Sequence, residues 1–171
     1  MKQKKESADS PAASATPAVS ANPADHRILV VDDDSSVREM LVRVLTGEGY
    51  PVWAAADGIA ALELAAATDF DLVLLDLNLP GKSGWTTFEA LTARHPLLAV
   101  IIVTARSNQL FTALGAGVGA LLEKPLDFTK LLETIHQLIA EPAQLRRARL
   151  EGNRAEFHYV HAQNRPPKNQ P

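Results

Sequence analysis

Short, almost purely apolar runs recur through this chain and stop abruptly at polar side chains. Ile28-Leu29-Val30-Val31 is followed by three aspartates, Leu72-Val73-Leu74-Leu75 by Asp76, and Leu98 to Val103 by Thr104. Such runs are too short for helices. They are apolar at every position, not at alternate ones, which fits strands buried on both faces. Two weaker runs, Val52 to Ala55 and Ala120 to Leu122, complete a set of five, the last leading into Glu123-Lys124-Pro125.

Helical patterns separate the runs. Val37, Met40, Leu41, Val44 and Leu45 lie at i, i+3, i+4, i+7 and i+8, the spacing of one helix face. Ser36-Val37-Arg38-Glu39 has the spacing of a capping box, Asp34 suits a helix cap, and Gly47 and Gly49 mark the helix end. Asp57-Gly58 opens an alanine-rich helix to about Ala67, and Trp85, Phe88 and Leu91 mark a third helix. A short fourth is expected from Ser107 to Leu114. Asp127 caps a fifth, with Leu126 and Leu131 placed as a hydrophobic staple and Leu131, Ile135, Leu138 and Ile139 as its buried stripe. Five strand–helix repeats of this kind predict an α/β fold, a parallel five-stranded sheet covered by helices on both faces and doubly wound by right-handed crossovers.

The chain's 171 residues suffice for one domain. A Lys-rich, then Ala/Ser/Pro-rich stretch over residues 1–25 cannot bury enough apolar area to fold and is expected to be a disordered arm. The domain is expected over 26–141. A basic and polar tail follows over 142–171, with one possible helix from Gln144 to Glu156 and a disordered end from Gln163. That tail is too small for an independent output domain, so a stand-alone protein is expected. No run approaches the roughly 18 apolar residues of a membrane span, no apolar signal core follows the first lysines, and no cysteine is present. A cytoplasmic protein without membrane or disulfide chemistry is expected. The net charge of −3 makes nucleic acid an unlikely partner.

The chemistry lies where the strands end. Asp32, Asp33 and Asp34 follow the first run, Asp76 the third, Thr104 the fourth, and Lys124 the fifth. In an open parallel sheet these carboxyl ends share one edge, and ligands bind there, where strand order reverses. Crowded carboxylates repel, so they share protons or hold a cation. Hard oxygen ligands on a flexible edge suit Mg2+, whose shell a phosphate can complete. One carboxylate can then act as a nucleophile toward phosphorus, while lysine and threonine neutralise and bind the phosphoryl oxygens.

Ile28-Leu29-Val30-Val31-Asp32-Asp33-Asp34, Asp71 to Gly81, Val103-Thr104-Ala105 and Glu123-Lys124-Pro125, taken together, resemble the receiver domains of response regulators, the CheY-like family, over about residues 26 to 140. The resemblance implies a flavodoxin-like (βα)5 sheet of order 2-1-3-4-5. It implies Asp76 as phosphoacceptor, Asp33 as a direct Mg2+ ligand with Asp32 positioning a metal-bound water, and the backbone carbonyl of Asn78 as a further ligand. Thr104 and Lys124 match the pair that contacts the phosphoryl group, and the Lys124–Pro125 bond is usually cis in the family. Asn78 and Arg106 match positions that tune dephosphorylation. The implied donor is a sensor histidine kinase or a histidine phosphotransfer protein, docking on the first helix around Val37 to Leu45, with an unknown protein as downstream target. The implied chemistry is self-phosphorylation and autodephosphorylation, not turnover of a substrate.

Three positions depart from that pattern. Leu121 stands where many members carry a switch aromatic. The stretch from Thr104 to Lys124 is about two residues short, which predicts a shortened fourth helix, and Lys82 replaces a commonly apolar residue. Competing readings are a DNA-binding transcription regulator acting through Arg146, Arg147, Arg149 and Arg154, and a phosphohydrolase with an aspartyl nucleophile at Asp32 and a second acid at Asp34. A flavin site is disfavoured because an Asp-rich turn follows the first strand where a phosphate would lie.

Overall fold

A computed structural model of the chain describes residues 22–81, 83–105, 107–151 and 157–162. Residues 1–21 of the expected arm, the expected disordered end, Lys82 and Arg106 lie outside the described residues, as does the Arg154 of the DNA-binding reading. At the start, Pro23–Asp25 form one 3-10 turn capped by the Asn22 side chain.

The apolar runs become strands β1 (Ile28–Val31), β2 (Val52–Ala55), β3 (Leu72–Asp76), β4 (Ala99–Thr104) and β5 (Ala120–Glu123). Every residue of β1, β3 and β4 is buried, as continuous apolarity requires. The helices are α1 (Ser35–Gly47), α2 (Gly58–Ala67), α3 (Gly84–Arg94), α4 (Leu110–Gly115) and α5 (Phe128–Ala140). Short polar side chains begin four of them. Asp34, Asp57, Ser83 and Asp127 each accept a hydrogen bond from a backbone N–H of the first turn, satisfying donors with no partner inside the helix. Asp34 caps α1, so Ser36 lies inside the first turn and the capping-box spacing at Ser36 is not used. The carboxylate two residues upstream accepts from both Ser36 and Val37, which leaves the serine hydroxyl no capping role. After α1 the chain reverses through Gly49, whose φ of 91° only glycine adopts readily.

All strands are parallel, and the sheet order is β2-β1-β3-β4-β5, extended at the β5 edge by a sixth strand, β6 (His158–Val160). Alternate residues of each strand feed two cores. Ile28, Val30, Leu72, Leu74 and Ile101 meet Leu41 and Leu45 of α1 and Leu131, Ile135 and Leu138 of α5. Leu29, Val31, Val73, Leu75 and Ile102 meet Ala61 and Ala65 of α2, Phe88 and Leu91 of α3, and Ala113 of α4. Each fully buried leucine or isoleucine here contributes about 1.5–3 kcal/mol. Leu126 and Leu131, expected as a staple, join the same core across the start of α5. α4 has six residues after a 3-10 turn over Ser107–Gln109.

The sheet corrects the expected count of five strands. After α5, helix α6 (Ala143–Leu150) leads to a sixth strand, β6 (His158–Val160), paired parallel with β5 so that Ala120, Leu121 and Leu122 face His158, Tyr159 and Val160. α6 stops at Leu150 with Glu151 as its C-cap, short of the end expected at Glu156, and residues 152–156 lie outside the described residues. β6 has three half-buried residues with a histidine and a tyrosine among them. It lacks an apolar run and exists because β5 offers an open edge for pairing. Among the described residues no helix is long and apolar enough to cross a membrane.

Candidate functional site

Strand order reverses at β1. The chain leaves β1 to one side for β2 and returns on the other side for β3. Asp32 directly follows β1 and Asp76 ends β3, so the two carboxylates stand at the carboxyl rim of neighbouring strands. Both are buried, at 1% and 3% exposure, in a region with little water to screen them. The backbone orients each through a tight local bond: Asp34 N–H donates to Asp32 Oδ1 at 3.0 Å, and Asn78 N–H to Asp76 Oδ1 at 2.9 Å. Both outer oxygens turn to one cation. Lys124 Nζ, from the turn after β5, lies 2.8 Å from Asp32 Oδ2 and 2.6 Å from Asp76 Oδ2. Asp33 is exposed, and one oxygen each from Asp32, Asp33 and Asp76 lie within 4.8 Å of one another. Arg38 of α1 donates to the Asp32 carbonyl at 2.7 Å and to that of Asp33 at 3.3 Å, which steadies the acidic turn from outside.

Burial pushes the Asp32 carboxyl above its ordinary range; bonds from Lys124 oppose this without cancelling it. Burial would pull the Lys124 ammonium down, but Asp32 and Asp76 together hold it above its usual value. The Lys124–Pro125 peptide is cis.

Thr104, fully buried at the end of β4, faces Glu123 in register, and its carbonyl accepts the Lys124 N–H at 2.9 Å. The structure therefore brings Asp32, Asp33, Asp76, Thr104 and Lys124 to one rim. Asn78 follows on the exposed loop after β3. Asp34 does not join them; it caps α1. Leu121 is buried in the core shared with α4, beside Tyr159 of β6.

Three residues were not read from the sequence in the places the structure gives them, two of them beside the site. A Cβ on Gly84, the first residue of α3, would fall within 3.0 Å of Leu77 Cα and of the Asp76 carbonyl oxygen, so only glycine lets α3 start against the end of β3. A glycine directly after a capping serine was the available signal. Tyr159 Oη donates to Glu123 Oε1 at 2.5 Å, and Ala162 N–H to Glu123 Oε2 at 3.2 Å. The Tyr159 bond holds the Glu123 carboxyl below its usual value and pushes the Tyr159 phenol up to about 12. Arg146 of α6, the third, lies away from the rim. Its guanidinium donates to the carbonyls of Leu97, Leu138 and Ile139, tying α6 to the last turn of α5. Arg149 pairs with Glu141. Two of the arginines of the DNA-binding reading thus serve the fold.

The donor set fits a hard divalent cation. Three carboxylate oxygens within 4.8 Å of one another can share an ion whose bonds to oxygen are about 2.0–2.1 Å for Mg2+.

Comparison with known proteins places the chain. The family described as response regulator receiver domain matches residues 28–136. The DNA-binding transcriptional regulator NtrC of Escherichia coli strain K12 is 35% identical over 130 residues, 73% of this chain and 28% of that protein. Response regulator MprA of Mycobacterium ulcerans strain Agy99 is 37% identical over 131 residues, 75% of this chain and 54% of that protein. The chain thus spans from 28% to 54% of the length of these relatives. Among solved structures, response regulator protein TrrA from Thermotoga maritima, in complex with Mg2+-BeF, superposes with a TM-score of 0.62 at 32% identity over 66% of this chain and 98% of that one. A CheY-like receiver domain protein from Methanospirillum hungatei JF-1 superposes with a TM-score of 0.64 at 32% identity over 67% and 93%. The expectation that nucleic acid is an unlikely partner draws no support from these relatives, one of which is named for DNA binding.

Proposed function

Because this chain belongs to the response regulator receiver domain family of two-component systems, we propose that Asp76 accepts a phosphoryl group from a sensor histidine kinase or a histidine phosphotransfer protein. Asp32, Asp33, Asp76 and the Asn78 carbonyl would hold Mg2+, which supplies the positive charge that offsets the phosphoryl oxygens. An Asp76 oxygen forms the new O–P bond as the donor's N–P bond breaks, and the departing imidazole keeps the electron pair. Lys124 moves from the Asp76 carboxylate to a phosphoryl oxygen, and Thr104 donates to another. The protein then signals by phosphorylation-dependent binding to a protein target or passes the group on, and water slowly removes it. No turnover beyond this self-phosphorylation and autodephosphorylation is proposed.

The observation that carries the reading is the single lysine ammonium held between two buried carboxylates, 2.8 and 2.6 Å away, with a third carboxylate at the mouth. Three carboxylates against one ammonium leave negative charge that a divalent cation would balance, and ionisable groups gathered in this way mark a candidate functional site. The test is incubation with Mg2+ and acetyl phosphate followed by intact mass. One added phosphoryl group is expected on the wild type and none on Asp76→Asn. An unmodified wild type, or equal modification of both, refutes it.

A further inference from the structure

At the end of β5 two adjacent residues, Glu123 in the strand and Lys124 just after it, are held from opposite sides. Lys124 is bound by Asp32 and Asp76. Glu123 has one oxygen taken by Tyr159 Oη and the other by Ala162 N–H, both from β6 or the residues just after it. Glu123 also faces Thr104 across the ladder, and Lys124 N–H closes onto the Thr104 carbonyl. The two proposed phosphoryl-contacting residues and the anchor of β6 thus form one seam of backbone.

From this seam we infer that β6 and the phosphoryl site are coupled through Glu123: Tyr159 holds the end of β5 where Lys124 bridges the two aspartates, and a phosphoryl group on Asp76 releases β6 and bares the β5 edge. The inference rests on the proposed phosphorylation of Asp76. When the outer charge of Asp76 moves onto phosphoryl oxygens, it moves outward beyond the strand end. Lys124 is only 22% exposed and must follow it, while its neighbour Glu123 is held in place by β6. The two pulls act on adjacent residues, and the weaker attachment yields. β6 is that attachment. It has three half-buried residues on an edge, and the bond from the His158 N–H to the Gly119 carbonyl is a long 3.4 Å. Elements with so little buried area open at the lowest cost in a fold.

Binding linkage requires that the coupling run both ways. Weakening the β6 anchor must make the site easier to load. The experiment uses the full chain, Tyr159→Phe and Glu123→Gln, each with Mg2+ and limiting acetyl phosphate, reading intact mass and amide hydrogen exchange together. Phosphorylated wild type is expected to exchange at least about tenfold faster over 157–162 and 119–123, with β1 and β3 unchanged, since losing one charge-assisted bond corresponds to that factor or more. Both variants are expected to show faster exchange over 157–162 without phosphodonor and a higher phosphorylated fraction at equal donor. Wild type that gains the phosphoryl group with unchanged protection at 157–162 overturns the coupling and leaves the phosphoacceptor reading standing, as do variants that load to the wild-type extent. Wild type that gains no phosphoryl group overturns both.

Discussion

Replacing Lys124 by methionine keeps an unbranched side chain, one atom shorter, and removes its charge, which isolates what the cation does at the rim. Asp32 and Asp76 would remain buried at 1% and 3% exposure with no cation between them. At their limit of 4.8 Å and an effective dielectric of about 20, two such charges repel by about 3.5 kcal/mol. Two charge-assisted hydrogen bonds, at 2.8 and 2.6 Å, disappear as well. Relief from burying the ammonium offsets part of this, so the expected loss is about 3 kcal/mol, within the range for removing one member of a buried ion pair. That corresponds to about 10 °C in Tm for a domain of this size. The loss depends on pH. Burial already raises the Asp32 carboxyl in the fold, and a raised group adds stability below its unfolded pKa that is lost as pH rises through the folded one. Without Lys124 the folded value rises further, and a proton can stand in for the ammonium. The deficit should therefore shrink as pH falls from 7 toward about 5, and Mg2+ should reduce it at pH 7. The assay is urea unfolding of both proteins across that range, with and without Mg2+. A variant as stable as wild type at pH 7 without Mg2+, or a deficit that grows on acidification, refutes the electrostatic account.

Asp32→Asn removes a carboxylate whose charged form the fold disfavours. Thermal melts without Mg2+ should show a higher Tm than wild type, and Mg2+ should no longer raise it. Gly84→Ala pushes a methyl group into the Leu77 and Asp76 main chain; a loss of about 2–3 kcal/mol in urea unfolding is expected, together with slower loading of Asp76 by acetyl phosphate. Burial raises Tyr50 and the Glu123 bond raises Tyr159 to about 12, so at about pH 10.5, where free tyrosine is mostly ionised, the native protein should show less tyrosinate absorbance than the urea-unfolded chain. The sign follows: these phenols stabilise the fold below their unfolded pKa, and the contribution is lost as pH climbs through the folded values.

Much of this was legible in the sequence, because burial on both faces of a strand writes itself locally as uninterrupted apolarity. Leu72 to Leu75 and Ile28 to Val31 could be little else, and strands so buried require helices over both faces. Asp34, Asp57 and Asp127 announce helix starts because the capping bond is made within a few residues. The meeting of Asp32, Asp33, Asp76, Thr104 and Lys124 followed one step later, since parallel strands must end on a common edge. Contacts without a local pattern were settled only in three dimensions. His158-Tyr159-Val160 has no strand signature; it is a strand because β5 has an unpaired edge and because Glu123, 36 residues away from Tyr159, offers a carboxylate to the phenol. The long reach of Arg146 to Leu97 and the bridge that Lys124 makes between two carboxylates have the same character. Local periodicity records how much of a residue is covered; which open edge, free carbonyl or unpaired charge it meets depends on where the rest of the chain has gone.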